Sequence, residues 1–113
     1  MKLSSSIKGI YYIVQVHGVP KGQLDLTNIK ALREKIGLYI PADQSHIILD
    51  LEKITYIDSS VIGMFVDLLN KYRNISGSFG LVNINAKIRN ILELANLTKY
   101  FSIYDHVEAI PES

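Results

Sequence analysis

The run Ile47-Ile48-Leu49-Asp50-Leu51 constrains this chain more than any other segment. It is short and almost continuously apolar, the pattern of a strand covered on both faces in a parallel sheet, and it is the best candidate for the sheet's centre. A connection over 52–58 leads from it into a long helix running from Ser59 to about Asn74. An apolar strand followed by an amphipathic helix is the repeating unit of α/β domains.

The flanking segments extend that pattern in both directions. Ile10 to Val16 is rich in β-branched and aromatic residues and follows Gly9, with a shorter candidate strand at Lys2 to Ile7, so the two predict a hairpin. Gly18-Val19-Pro20-Lys21-Gly22 is a turn-rich connection, because two glycines and a proline do not continue a strand easily. Thr27 or Asn28 can then cap a helix whose Ile29, Leu32 and Ile36 recur at helical spacing, with Gly37 as its end. Lys30, Arg33, Glu34 and Lys35 lie on its other face, as a solvated surface requires. Later come a strand around Phe79 to Ile84 and a helix from about Ala86 to Ala95 with Asn85 as cap. A short strand at Phe101 to Tyr104 and a helical turn over His106 to Ile110 follow. A leading hairpin and then strand-helix alternation predict a mixed sheet with helices packed on it.

Size and composition bound the rest. The 113 residues suit one domain, 1–113, with one hydrophobic core. With 48% hydrophobic and 20% charged residues the chain can offset its ordering entropy by burial. The absence of cysteine excludes disulfides, thiol catalysis and thiolate-bound metals. Twelve basic and eleven acidic residues are interspersed and sum to +1, so nothing points to nucleic acid. Met1-Lys2-Leu3-Ser4-Ser5-Ser6 does not resemble a secretory signal, and no run approaches the roughly 20 apolar residues of a membrane helix. A cytoplasmic protein without membrane insertion is the expectation.

The helix beginning at Ser59 carries the most information. Plotted at about 100° per residue, Val61, Ile62, Phe65, Val66, Leu68, Leu69 and Tyr72 fill one arc, while Asp67, Asn70, Lys71 and Asn74 fill the opposite one. In the first turns the outer arc instead holds Ser59, Ser60, Gly63 and Met64, small or uncharged residues of the kind found in protein contact surfaces. Asp58 or Ser59 can serve as N-cap, worth about 1 kcal/mol. A hydroxyl there also lies where amides and the positive end of the helix dipole converge, so a phosphate, adding about −1.5 to −2 charges, would be accommodated.

The stretch from Ile47 to Gly63, with Asp58-Ser59-Ser60 opening its helix, resembles the signature of the STAS family, typified by bacterial anti-sigma-factor antagonists. Gly22-Gln23-Leu24-Asp25 and Leu92-Glu93-Leu94-Ala95-Asn96-Leu97 are similar to two further segments of that family, so the likeness spans nearly the whole chain. It implies a single STAS-type domain, α/β, with a mixed four- to five-stranded sheet and about four helices packed on it. It further implies a non-enzymatic switch without cofactor or metal. In the family, the serine after the aspartate is phosphorylated by an anti-sigma factor that is also a serine kinase of the histidine-kinase-like ATPase type. The unphosphorylated antagonist binds that kinase and frees the sigma factor, and a metal-dependent serine phosphatase resets the cycle. Carried over, Ser59 is the phosphoacceptor and Asp25, Asp58, Ser59, Ser60, Ile62, Gly63 and Met64 form the partner-binding surface. Val61 stands where the family usually has glycine, 17–21 resembles an insertion, and Asn96 replaces a glycine while still suiting a left-handed C-cap.

Other chemistries find less in the sequence. A nucleophilic Ser59 would need His17, His46 or His106 as base, and the Gly-x-Ser-x-Gly elbow is absent around it. The segment from Gly18 to Gln23 lacks the Gly-Lys-Ser/Thr ending of a phosphate-binding loop, and the three histidines are scattered. The alternative within the resemblance is a phosphorylation-independent scaffold subunit of a sensory, stressosome-like or transport complex.

Overall fold

The computed structural model describes residues 1–112. Strands β1 (Lys2–Lys8) and β2 (Tyr11–His17) form the expected antiparallel hairpin. The turn between them is two residues long with positive φ at Gly9 alone, as in a type II′ turn, whose twist matches that of the strands. After a 3₁₀ turn at Pro20–Gly22 come β3 (Gln23–Leu24), α1 (Ile29–Tyr39), β4 (His46–Asp50) and β5 (Tyr56–Ile57). Then follow α2 (Ser59–Arg73), β6 (Ser78–Val82), α3 (Ala86–Leu94), β7 (Ser102–Tyr104) and a 3₁₀ turn at Val107–Ala109.

The main sheet has the order β1-β2-β4-β6-β7, with β2, β4, β6 and β7 parallel and β1 antiparallel at the edge. Each crossover steps one strand in the same direction. With right-handed connections this puts α1, α2 and α3 on one face of the sheet. There Val14, Leu49 and Leu81 of the strands meet Leu32, Phe65 and Ile88 of the helices in one core. On the opposite face Ile13, Ile48 and Val82 are covered by Ile110 of the C-terminal segment. The central strand β4 is therefore buried on both faces, as its apolar run requires. Its last residue, Asp50, is buried but satisfied: Gln15 Nε2 and Asn83 Nδ2 donate to it at 3.1 Å and the Glu52 amide at 3.0 Å.

Three features differ from the sequence expectation. Among the described residues there are three α-helices rather than about four, the remaining helical segments being single 3₁₀ turns. Gly37 does not end α1, which runs to Tyr39. The stop is Pro41, which drives Ile40 into extended backbone (φ −77°, ψ 121°). Finally, β3 and β5 pair as a separate two-stranded parallel ribbon that no periodicity announced.

Candidate functional site

The ribbon builds the site. Gln23 pairs with Tyr56 and Leu24 with Ile57, so the chain leaving β3 runs level with the chain leaving β5. Gly22 allows this close approach: its φ is +66°, and a Cβ there would lie 2.8 Å from the Lys53 carbonyl oxygen. The next residues along the two segments are Asp25-Leu26 and Asp58-Ser59, and the register brings them side by side beyond the carboxyl end of β4.

Asp58 is the N-cap of α2. Its Oδ1 accepts from the Ser60 amide at 3.0 Å, from the Val61 amide at 3.3 Å and from the Ser60 hydroxyl. Its other oxygen, Oδ2, accepts from the Leu26 amide at 2.9 Å. Partial burial pulls the Asp58 pKa upward and is the largest single influence. The Ser60 hydroxyl and the Leu26, Val61 and Ser60 amides together outweigh it and hold the carboxyl below its ordinary value of 3.8. A depressed carboxylate stabilises the fold above its unfolded-state pKa, and that contribution is lost as pH falls through the lower folded value. The gap in urea midpoint between wild type and Asp58→Asn is accordingly expected to be widest near neutrality and to narrow below about pH 4. A gap that does not change with pH would contradict this.

The opposite loop is equally ordered. Asp25 turns its carboxylate inward to accept from the Thr27 amide and hydroxyl, and Asn28 Oδ1 accepts from the Asp25 amide at 2.9 Å. Asn28 Nδ2 donates to the Gln23 carbonyl at 2.8 Å. Asn28 thus occupies the N-cap position of α1 but spends its side chain on the loop rather than on the helix amides. The result is a fixed turn with Leu26 at its tip, 76% exposed. Sequence reasoning missed Leu26. A leucine between Asp25 and Thr27 reads as ordinary until the register shows that it flanks Asp58.

The expected site residues divide as follows. Asp25, Asp58, Ser59, Ser60, Ile62 and Gly63 lie on the loop or the first turns of α2, with Ser59 exposed and Ser60, Ile62 and Gly63 half-buried. Met64 does not belong with them. It is 1% exposed and packs in the core, because α1 lies against that flank of α2, bound across by the 2.8 Å ion pair of Arg33 with Asp67. A plot of one helix cannot register the helix beside it. The two serines also separate. Ser60 gives its hydroxyl to Asp58, whereas that of Ser59 faces solvent. The Ser60 and Val61 amides, which the sequence offered to a phosphate on Ser59, are taken by the Asp58 carboxylate.

Gly63 is the anomaly of the helix. It lies in the second turn of α2, where glycine costs about 0.5–1 kcal/mol relative to alanine, yet a Cβ built on it would meet nothing within 4 Å. No contact within the described residues calls for glycine here, and the space beside it is open to another molecule. Two of the three histidines raised as possible bases have partners elsewhere: His46 Nδ1 lies 2.9 Å from Ser78 Oγ, and His106 pairs with Glu108 at 3.2 Å. Among the described residues no group of three or more His, Asp or Glu side chains is placed to hold a metal, and no helix is long and apolar enough to cross a membrane.

Residues 11–110 match the family model of the STAS domain. An anti-sigma F factor antagonist of Paenibacillus polymyxa is 29% identical over 96 residues, covering 80% of each chain. A crystal structure from Thermotoga maritima, assigned as an anti-sigma factor antagonist, superposes with a TM-score of 0.78 at 25% identity, over 94% of this chain and 88% of that one. The phosphorylated form of the Bacillus cell-fate determinant SpoIIAA shares the fold, with a TM-score of 0.65 at 19% identity over 96% of each chain.

Proposed function

Because the chain belongs to the STAS domain family, we propose that it acts as an anti-sigma factor antagonist whose control point is Ser59. Unphosphorylated, it binds an anti-sigma factor that is also a serine kinase and thereby frees a sigma factor. Phosphorylation of Ser59 ends that binding, and a metal-dependent serine phosphatase restores it. The partner-binding surface comprises the Asp25–Leu26 turn, Asp58, Ser59, Ser60, Ile62 and Gly63. The protein works in the cytoplasm and catalyses no reaction itself.

The observation that carries this reading is the pairing of an exposed Ser59 with Gly63 one turn on, a helical glycine for which the fold itself shows no use. Ser59 is the first residue of α2, and Ile62 and Gly63 follow on the same open side. A methyl-sized gap beside a helical glycine lets a partner's backbone or side chain approach closely. Positions that break a local rule without structural gain are where function is expected. The Paenibacillus relative carries the same type of activity in its name, and the similar SpoIIAA has been captured with phosphate attached.

The glycine supplies a test whose two arms move in opposite directions. Gly63→Ala is expected to raise stability by about 0.5–1 kcal/mol in urea unfolding. The same change is expected to weaken binding of the anti-sigma factor kinase, measured by calorimetry, by about fivefold or more. Unchanged affinity in the stabilised variant would remove Gly63 from the contact surface. Failure of the wild-type chain to bind any anti-sigma factor kinase of its own organism would overturn the reading.

A further inference from the structure

Leu26 and Asp58 hold a relation that the antagonist reading does not require. Leu26 is a large apolar side chain, 76% exposed, at the tip of a turn that leaves it little freedom. The turn is closed by the Asp25 amide on Asn28 Oδ1, the Thr27 amide on Asp25 Oδ1 and the Asn28 side chain on the Gln23 carbonyl. An exposed leucine on a floppy loop loses chain entropy when it is captured. One held in advance avoids most of that cost, so more of its contact energy appears as affinity. Most of the closing bonds lie within the turn. The bond from the Leu26 amide to Asp58 Oδ2, at 2.9 Å, instead ties it to the start of α2.

We propose that Asp58 is a positioning residue: one carboxylate oxygen caps α2 while the other fixes the Leu26 turn, so that Leu26 and Ser59 meet the partner as one surface. The partner is a protein that presents an apolar pocket to Leu26 beside the groove that receives the helix start. This rests on the antagonist reading for the partner's identity, but the tie itself is a property of the chain alone.

The chemistry of the side chain makes the two jobs separable. Asparagine is as good an N-cap as aspartate, and its single carbonyl oxygen can serve the Ser60 and Val61 amides. Its NH₂ group would then face the Leu26 N–H, donor against donor, and the tie is lost. Serine at the same position is also a strong cap but offers one oxygen on a shorter arm. Asp58→Asn and Asp58→Ser therefore remove the tie in two different ways while keeping a helix cap.

Three readouts test the proposal. Amide hydrogen exchange followed by NMR is expected to show the Leu26 amide exchanging at least about tenfold faster in Asp58→Asn and Asp58→Ser, while the amides of α2 beyond its first turn keep their protection. Calorimetry with the anti-sigma factor kinase is expected to show each variant, and Leu26→Ala, binding about fivefold or more weakly than wild type. In the Leu26→Ala background, Asp58→Asn is expected to add little further loss, because its effect runs through that leucine. Leu26 protection unchanged in both Asp58 variants would overturn the tie. Additive losses in the double variant, or wild-type affinity in Leu26→Ala, would overturn the positioning role while leaving the antagonist reading in place. Absence of kinase binding by wild type would strike that reading, and the exchange result would still decide the tie.

Discussion

Ser59→Asp is expected to leave the fold intact and to weaken binding of the anti-sigma factor kinase by at least about tenfold. The added carboxylate lies at the first residue of α2, where the helix dipole favours negative charge by about 0.3–1 kcal/mol. Repulsion from Asp58, which its hydrogen bonds keep ionised, opposes that gain, so the unfolding midpoint should hardly move. Binding is different. Ile62 and Gly63, which follow Ser59 on its side of α2, are uncharged, and a partner seated on them must strip water from whatever Ser59 carries. Taking an uncompensated charge out of water costs several kcal/mol, and as little as 1.4 kcal/mol of it is a tenfold loss of affinity. A phosphate carries more charge than a carboxylate and should act more strongly. Equal affinity for Ser59→Asp and wild type, measured by calorimetry, would instead favour a phosphorylation-independent scaffold.

The second large effect lies beneath the site. Phe65 is fully buried, with its ring centroid 6.2 Å from that of Phe79 in β6 and 6.3 Å from that of Phe101, the latter edge-on. Phe79 and Phe101 complete the triangle at 6.0 Å. This cluster clamps α2 onto the sheet and so fixes the platform on which Ser59 is presented. Phe65→Ala removes about 3–5 kcal/mol of packing and transfer free energy. A domain of this size has only about 5–15 kcal/mol in total. Urea unfolding should therefore show a midpoint lowered by about a fifth or more with an unchanged slope. A loss under about 1.5 kcal/mol would mean that the core around α2 repacks freely, contrary to the close aromatic packing described above.

Much of this molecule could be read from its residues, and the reasons are local. The apolar run in β4 has the pattern of a strand buried on both faces, and Ile13, Ile48 and Val82 on one side with Val14, Leu49 and Leu81 on the other bear that out. Asn85 was legible as a cap, and its Oδ1 accepts from the Ile88 amide at 2.7 Å. Asn96 takes the left-handed conformation (φ 59°) in which it can stand for glycine. What escaped was set by distant parts of the chain. The two-residue strands β3 and β5 are too short to show a period, so their pairing is invisible until the main sheet brings them together. The geometry of α2 alone points Met64 outward, and α1 buries it. Gly37 looked like a helix end, but the constraint came four residues later at Pro41. The cap at Asp58 and the exposure of Ser59 were legible because both are properties of a helix start. The place of Leu26 beside them was not, since it depends on a hydrogen bond to a residue 32 positions away.

The difference between Ser59 and Ser60 gives the central claim its sharpest form. Both are hydroxyls in the first turn of α2, but Ser60 is engaged by Asp58 and Ser59 faces solvent. The most direct measurement is the intact mass of the chain after incubation with its anti-sigma factor kinase and ATP, for wild type, Ser59→Ala and Ser60→Ala. One phosphoryl group on wild type and on Ser60→Ala, and none on Ser59→Ala, is the result predicted here. An unchanged wild-type mass with a kinase shown to bind the chain, or a phosphoryl group that persists in Ser59→Ala, would contradict it.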